Sequence, residues 1–231
     1  MDIEFAKCNC SDCKLKSMLY NHLSNDEMTS MCYSKAEKPY KKGEIIIDEG
    51  TPIESFIYLK EGLVKLFKRI DNSKSQIISV AKPFDFVSLL SVFSNTTYNF
   101  SVSALEDSTV CIVDLKQIKD LIRKNGSFAL DIIEKMNIAS DSIINSYLDR
   151  NRKNLRGRIA YILLYFSDEI YKQDKFEIPV SRKEIAELIE MTTENVIRVM
   201  SEFRKDKIIQ INGKEISILK KDMLKKICEA G

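Results

Sequence analysis

Residues 180–203 read Val-Ser-Arg-Lys-Glu-Ile-Ala-Glu-Leu-Ile-Glu-Met-Thr-Thr-Glu-Asn-Val-Ile-Arg-Val-Met-Ser-Glu-Phe, and their pattern decides the fold. Ser181 followed three residues later by Glu184 is a capping box, in which the hydroxyl accepts from the N3 amide and the carboxylate reaches back to the cap. The helix so opened spans Arg182–Ile189 and stops at Glu190-Met191-Thr192; a second helix runs from about Thr193 to Lys205. In the second helix Val196, Val199, Met200 and Phe203 fall at i, i+3, i+4 and i+7 and make one apolar face. Thr193, Glu194, Ile197, Arg198 and Ser201 lie on the other. Upstream, Ile178-Pro179-Val180 reads as a short strand. Downstream, Asn212-Gly213 between Ile208–Ile211 and Glu215–Leu219 is a strong hairpin signal. Two helices at a tight turn followed by a hairpin form a winged helix-turn-helix.

Residues near the amino end of the second helix of such a motif reach base edges in the major groove. Arg198 has the fork to donate twice to guanine O6 and N7, and Glu194 can accept from the cytosine N4 amine. Four residues apart, the two share a face and can pair, which would hold Arg198 in a reading pose. Ser181 and Thr193 are candidate phosphate contacts at helix amino ends, with Arg182 and Ile197 completing the candidate DNA-binding set. Charge agrees in direction. From Arg150 onward 18 basic residues face 13 acidic ones, whereas the chain as a whole is +2.

Working towards the amino terminus, Arg150–Arg158 forms a basic joint into which the preceding long helix continues, and apolar Ile159–Phe166 follows it. Before it lies a long helix from about Ser127, in which Ala129, Ile132, Ile133, Met136, Ala139, Ile143, Tyr147 and Leu148 recur at three- and four-residue steps. A stripe of that length predicts packing against a partner helix, the alternative being burial within its own chain. Lys116–Lys124 is a shorter helical segment. Residues 40–114 are different. Short β-rich runs at Glu44–Asp48, Ser55–Leu59, Leu63–Ile70, Ser75–Val80, Ser101–Leu105 and Thr109–Val113 are bounded by turn residues, with Asp71-Asn72-Ser73 as a hairpin turn. A helical stretch ending near Glu37 precedes them. These runs read as the strands of a small barrel or sandwich, so the fold expected is α+β: a β domain with a cysteine-rich amino-terminal segment (1–126), a long helix (127–153) and a winged helix-turn-helix domain (154–231).

Several function classes lose support. No run approaches the ~18 apolar residues of a membrane span, and MDIEFAKCNC lacks the basic and apolar regions of a secretory signal, so a cytoplasmic protein with no membrane partner is expected. One histidine, no phosphate-binding glycine loop and no nucleophile elbow leave no catalytic constellation, so an enzyme is not expected. Cys10-x-x-Cys13 lacks the βαβ context of a thiol oxidoreductase. A rival reading is a β-roll interaction module that binds protein instead of DNA. Steep weakening with salt distinguishes DNA binding from an apolar protein contact.

The segment from Val180 to Phe203 resembles the CRP/FNR family of transcription regulators. So does Lys42-Gly-Glu-Ile-Ile, with Glu49-Gly50 and Phe56-Ile-Tyr-Leu-Lys-Glu-Gly-Leu-Val-Lys65 after it, which looks like the opening of that family's double-stranded, cyclic-nucleotide-binding-like β-roll. The resemblance runs from about Leu19 to Leu219. It implies a sensory β-roll domain over 1–126, a dimerisation helix over 127–153 and a homodimer on a palindromic double-stranded operator, with Glu194 and Arg198 reading half-sites that typically contain TGA, and RNA polymerase as a further partner. Thr193 stands where cyclic-AMP-binding members have arginine and Ile197 where the oxygen-sensing member has serine, which leaves the outer half-site bases open.

The cyclic-AMP-binding members cradle phosphate with a Gly-Glu pair and an Arg-Ser pair; here Val87-Ser88 and Tyr98-Asn99 occupy those positions. No arginine occurs between Arg69 and Arg123, so a phosphate would lack its bidentate partner and cyclic AMP is not expected. The cysteines point to a metal instead. Cys8, Cys10 and Cys13 lie within six residues, and in a chain with no export signal such thiols suit a metal or redox role. A [4Fe-4S] cluster takes four thiolates, commonly three near and one distant. Cys111 falls where the oxygen-sensing member places the distant ligand. Cys10-x-x-Cys13 also matches that member's spacing, but Leu19 occupies the next ligand's position and Cys8 would replace it. Oxygen, nitric oxide or redox sensing would follow. Zinc on the same thiolates is an alternative. So are haem, with His22 or a cysteine as axial ligand, and a small organic effector in the roll. Cys32 and Cys228 read as structural.

Overall fold

A computed structural model describes residues 22–231 apart from 34, 72, 73, 84, 86 and 88. Cys8, Cys10, Cys13 and Leu19, the Asn72-Ser73 turn and Ser88 therefore lie outside the described residues. The described chain divides into two units. One takes in residues up to Arg69 together with Ser79–Ser142; the other takes in Ile70–Ile78 and Ile143–Gly231.

The short β-rich runs form two antiparallel sheets. The strands are β1 (Lys35–Tyr40), β2 (Ile45–Ile47), β3 (Ser55–Glu61), β4 (Val64–Arg69), β5 (Ser75–Ala81), β6 (Ser101–Ala104) and β7 (Ser108–Asp114). Their orders are β1-β7-β3 and β2-β6-β4-β5. Side chains alternate across a strand, so the central sheet buries both faces. Phe56 and Tyr58 of β3, with Cys111 and Val113 of β7, pack on one side against helical residues that include Met31, Ile118, Phe128 and Ile132. Ile57, Leu59 and Val110 point the other way, into an apolar cluster with Val64, Val87, Tyr98 and Val102 that fills the roll. The turn from β3 to β4 requires glycine at 62. Its φ is +91°, and a Cβ there would lie 2.3 Å from Ser108 Oγ and 2.6 Å from the Asp107 carbonyl oxygen.

The helical stretch expected to end near Glu37 ends earlier. Helix α1 spans Asn25–Tyr33, and Lys35–Tyr40 is a strand paired in register with Val113–Ser108. Its composition hid it, because Lys, Glu and Pro are poor strand residues. An edge position tolerates them, since the Pro39 ring needs no ladder donor on the open side. The short helix α2 (Leu89–Val92) follows β5. Helix α3 (Leu115–Lys124) begins where Asp114 accepts from the amides of Lys116 and Gln117 at 2.6 and 3.3 Å. Helix α4 (Gly126–Asn151) follows, with the Asn125 side chain accepting from Phe128 N at 3.0 Å.

The basic joint does not continue the long helix. The chain breaks after Asn151, and Asn154 caps helix α5 (Leu155–Leu164) by accepting from Arg156 N and Gly157 N, each at 3.0 Å. A π-helical turn (Tyr165–Tyr171) ends at Lys172 in the left-handed region. Strand β8 (Lys175–Glu177), helices α6 (Arg182–Ile189) and α7 (Thr193–Lys205), strands β9 (Ile209–Asn212) and β10 (Glu215–Ile218) and helix α8 (Lys221–Ala230) complete the unit. The strands pair in the order β8-β10-β9. The strand expected at Ile178–Val180 sits three residues earlier. Ile178 N still donates to Lys214 O at 3.0 Å, but Pro179 has no N–H with which to extend the ladder. Among the described residues no helix is long and apolar enough to cross a membrane.

Candidate nucleic-acid interface

The capping box forms as its residue types require. Glu184 N donates to Ser181 Oγ at 3.1 Å and Ser181 N donates to Glu184 Oε2 at 2.7 Å. Ile185, Ala186, Leu188 and Ile189 turn inward. The helix stops because Glu190 adopts the left-handed conformation (φ 56°) and Met191 N closes back on Ala186 O at 3.0 Å. Thr192 then caps α7, its hydroxyl accepting from Asn195 N at 3.3 Å. Three residues suffice for the turn because each end is capped by its own side chain or backbone.

Helix α7 separates its faces as expected. Val196, Val199, Met200 and Phe203 are buried. Glu194, Ile197, Arg198 and Ser201 are exposed, and Ile197 keeps 51% of its surface open although it is a large apolar residue. Thr193 is half-buried in the first turn, and so is Arg182 at the start of α6, where desolvation draws its guanidinium pKa down. Ser181 Oγ is engaged in the cap, and Ser181 remains exposed.

One expected pairing is replaced. Arg198 does not pair with Glu194; its Nη1 donates to Glu202 Oε1 at 2.6 Å, one turn towards the carboxyl end. Glu194 is held at the amino end instead, its carboxyl pKa lowered first by its own backbone amide and then by the Thr192 hydroxyl. Exposed amides at a helix start compete for a nearby carboxylate. Glu202 was not singled out in the sequence. The i, i+4 spacing from Arg198 was its only signal there. The wing needs Gly213 at φ 62° between β9 and β10.

The candidate metal and effector residues fare differently. Cys111 is fully buried on the helix-bearing side of the central sheet, opposite Glu37 and Tyr58 in register. Its thiol lies 3.9 Å from Glu37 Oε1, and Glu37 also accepts from Lys60 Nζ at 2.7 Å. Among the described residues no group of three or more His, Cys, Asp and Glu is placed to hold a metal ion. Cys111 thus offers a single sulfur of the kind a cluster or zinc takes, and the other three thiols lie outside the described residues. His22 stands away from the apolar cluster of the roll. Its side chain is 54% exposed, with Nδ1 2.8 Å from Asp131 Oδ2. Cys228 is half-buried, and burial pushes its thiol pKa up.

Two of the residues at the family's phosphate-cradle positions are turned to packing here. Val87 and Tyr98 pack into its apolar cluster, and the Tyr98 hydroxyl donates to Ser55 O at 3.0 Å. The cations near the end of β4 are taken: Lys68 pairs with Glu49 at 2.6 Å and Arg69 with Asp48 at 2.6 Å.

Comparison with known proteins agrees with this architecture. The family model for the cyclic nucleotide-binding domain matches residues 37–125, and that for the Crp-like helix-turn-helix domain matches residues 157–227. The transcriptional activator protein anr of Pseudomonas aeruginosa is 27% identical over 219 residues, covering 92% of this chain and 89% of the relative. The fumarate and nitrate reduction regulatory protein of Vibrio cholerae is 24% identical, covering 91% and 86%. A putative transcriptional regulator of the crp/fnr family from Eubacterium rectale shares the fold with a TM-score of 0.77 at 17% identity, covering 91% and 97%. FixK2 from Bradyrhizobium japonicum does so with a TM-score of 0.74 at 22% identity, covering 84% and 96%. A cyclic-nucleotide-binding-type roll, a long helix and a winged helix-turn-helix whose second helix has one exposed face meet in one chain, which belongs to the CRP/FNR family of DNA-binding transcription regulators.

Proposed function

We propose that the chain is a homodimeric cytoplasmic regulator of a palindromic operator with TGA-containing half-sites, and that an iron–sulfur cluster couples its DNA binding to oxygen, nitric oxide or redox state. The observation that carries the DNA part is the exposure of Glu194, Ile197 and Arg198 on a helix whose opposite face is buried. A rigid helix with a fixed back presents its front side chains in one register, as base readout needs. Arg198 reads guanine and Glu194 the paired or adjacent cytosine. Ile197 meets apolar base surface such as a thymine methyl, and Ser181, Arg182 and Thr193 set the helices on the phosphates. RNA polymerase is the further partner that the family resemblance implies.

Helix α4 supports the dimer. Ile132, Met136 and Ala139 pack on the chain's own core, whereas Leu130, Ile133, Ile144 and Tyr147 are exposed. With Asn137 and Ser140 these exposed residues recur at alternating steps of three and four, the a/d spacing of a two-stranded coiled coil. An asparagine on such a seam favours one register at some cost in stability.

The sensing part rests on Cys111, already sequestered from water, joining Cys8, Cys10 and Cys13 as ligands. A bound cluster supplies redox chemistry and reactivity towards oxygen and nitric oxide. The chain's own part is to hold the thiolates and keep Cys111 dry. Anaerobic purification, with iron and sulfide assays beside an operator-binding titration over a range of salt, tests both parts. The expected outcome is about four irons and four sulfides per chain. Cys8→Ser or Cys111→Ser should lose them, and operator binding should weaken steeply with salt. A colourless, iron-free protein that binds the operator equally with and without oxygen would remove the sensing part and leave the DNA part standing. Salt-independent binding would remove the DNA part.

A further inference from the structure

Glu202 lies one turn beyond Arg198 on α7, and each of its carboxylate oxygens takes a different guanidinium. Oε1 accepts from Arg198 Nη1 at 2.6 Å, and Oε2 accepts from Arg156 Nη1 at 2.6 Å. Arg156 belongs to the first turn of α5. It reaches Asp206 Oδ2 through Nη2 at 3.4 Å and lies over the Phe203 ring, 5.0 Å from its centroid. Phe203 is fully buried. An isolated exposed pair at i, i+4 contributes little and holds little. A carboxylate shared between two arginines, one of them stacked on a buried ring, is restrained from both sides.

The guanidinium carries five N–H donors on a planar fork. With one Nη1 hydrogen on Glu202, the edge bearing Nη2 and Nε keeps two parallel donors, the number that guanine O6 and N7 accept. We propose that Glu202 is a positioning residue that sets the base selectivity of Arg198. It orders the fork before DNA arrives, while its negative charge opposes the phosphates and lowers affinity for every sequence. Only the specific complex needs the arginine fixed, so ordering it beforehand favours that complex over random DNA. The inference rests on Arg198 being a guanine contact. Arg156 acts through Glu202 and touches no base.

The test uses the full-length protein and three duplexes: two TGA half-sites, the same duplex with each guanine pair replaced by A·T, and a random sequence. Glu202→Gln is expected to bind random DNA about threefold more tightly, from the lost repulsion. Its preference for the guanine duplex should fall about tenfold, part of what a bidentate contact confers. Arg156→Gln, which leaves the Glu202 charge in place, should lose part of the preference with no gain on random DNA. In 15N spectra of the free protein, the Arg198 Nε–H signal should exchange with solvent faster in both variants. A merely structural role would not move that signal at constant melting temperature. A guanine preference in Glu202→Gln within twofold of the unsubstituted protein overturns the proposal, as does an equal loss on all three duplexes. Arg198→Ala separates the two levels. If it loses the preference while Glu202→Gln keeps it, only the positioning role is wrong; if Arg198→Ala keeps it, base reading by Arg198 fails and the role of Glu202 fails with it. Should Glu202→Gln melt early, Arg156→Gln judged by the same preference decides the matter.

Discussion

Helix α7 and strand β7 each carry chemistry-bearing residues, and the two elements treat them in opposite ways. On α7 one face is buried and the other is open to solvent, so Glu194, Ile197 and Arg198 are exposed and ready to meet a ligand. Strand β7 is the middle strand of its sheet and is covered on both sides, so Cys111 is sealed among Phe56, Tyr58, Val113 and helical residues. A residue that reads a partner must already be at the surface. A residue that binds a reactive cofactor gains from exclusion of water and must wait for its co-ligands to come to it. The difference predicts that substitutions on α7 change binding with little effect on folding, whereas substitutions around β7 disturb folding first.

The most severe test of that contrast lies beside β7. Gly62→Ala places a Cβ where the Ser108 side chain and the Asp107 carbonyl already sit, at a φ of +91° that alanine rarely adopts. The expected loss is on the order of 3 kcal/mol, because overlap with backbone adds to the positive-φ penalty. Chemical denaturation followed by tyrosine fluorescence measures it. A loss below about 1 kcal/mol, less than the left-handed conformation alone costs an alanine, would mean the turn can shift and the sheet is less constrained than its packing implies.

Arg198→Ala is the counterpart on α7. Selective operator binding should drop by about 100-fold across two half-sites, roughly 2.7 kcal/mol, since each bidentate contact gives about 1–3 kcal/mol of discrimination. The melting temperature and the dimer, checked by sedimentation, should not change. A matching loss of stability would erase the contrast, because the exposed face would then be carrying part of the fold.

The two elements also differed in how legible they were beforehand. The winged module was readable in detail because its signals are local: a capping box at Ser181 and Glu184, an i, i+3, i+4, i+7 face, and Asn-Gly in a hairpin. Each is fixed by residues within a turn or two of one another. Strand β1 was missed because nothing local marks Lys35–Tyr40 as a strand; it is held by pairing with Ser108–Val113, far along the chain. The stripe on α4 mixed two rows, joining Ile132, Met136 and Ala139, which pack on the chain's own core, to exposed Ile133 and Tyr147 and leaving out exposed Leu130 and Ile144, since sequence does not tell which of two neighbouring rows the core takes. Arg198 was correctly placed on the exposed face, yet its partner was misassigned. Glu194 and Glu202 are equally spaced from it, and what separates them is the pull of the helix start on Glu194 and the hold of Arg156 on Glu202.

Cys111→Ser sharpens the contrast from the cysteine itself. A hydroxyl replaces a thiol at a fully buried site lined by apolar side chains, with Glu37 Oε1 as the nearby acceptor. Burying the more polar group costs about 1–2 kcal/mol, and Cys111→Ala should cost less because it buries no polar atom. If cluster binding is the role of Cys111, both variants lose iron equally although their stabilities differ. Iron retained in either variant would return Cys111 to a packing residue and move the distant ligand elsewhere.

Ser181→Ala is the smallest effect, and it tests whether one residue on the DNA-binding side serves the fold and the interface together. Its hydroxyl already accepts from Glu184 N, so removing it should cost about 1 kcal/mol, the usual loss for an N-cap. Ser181 is also exposed at the start of α6, where backbone amides and helix dipole favour a phosphate. Alanine keeps those amides. If the backbone makes the contact, operator affinity and the salt slope stay near the unsubstituted values while stability falls. If the hydroxyl makes the contact, affinity falls for specific and random DNA alike and base selectivity is untouched. The hydroxyl cannot change selectivity in either case, because a phosphate contact positions the protein without reading sequence. A loss of guanine preference in Ser181→Ala would therefore show that tilting α6 moves α7, and that the two helices read DNA as one rigid pair.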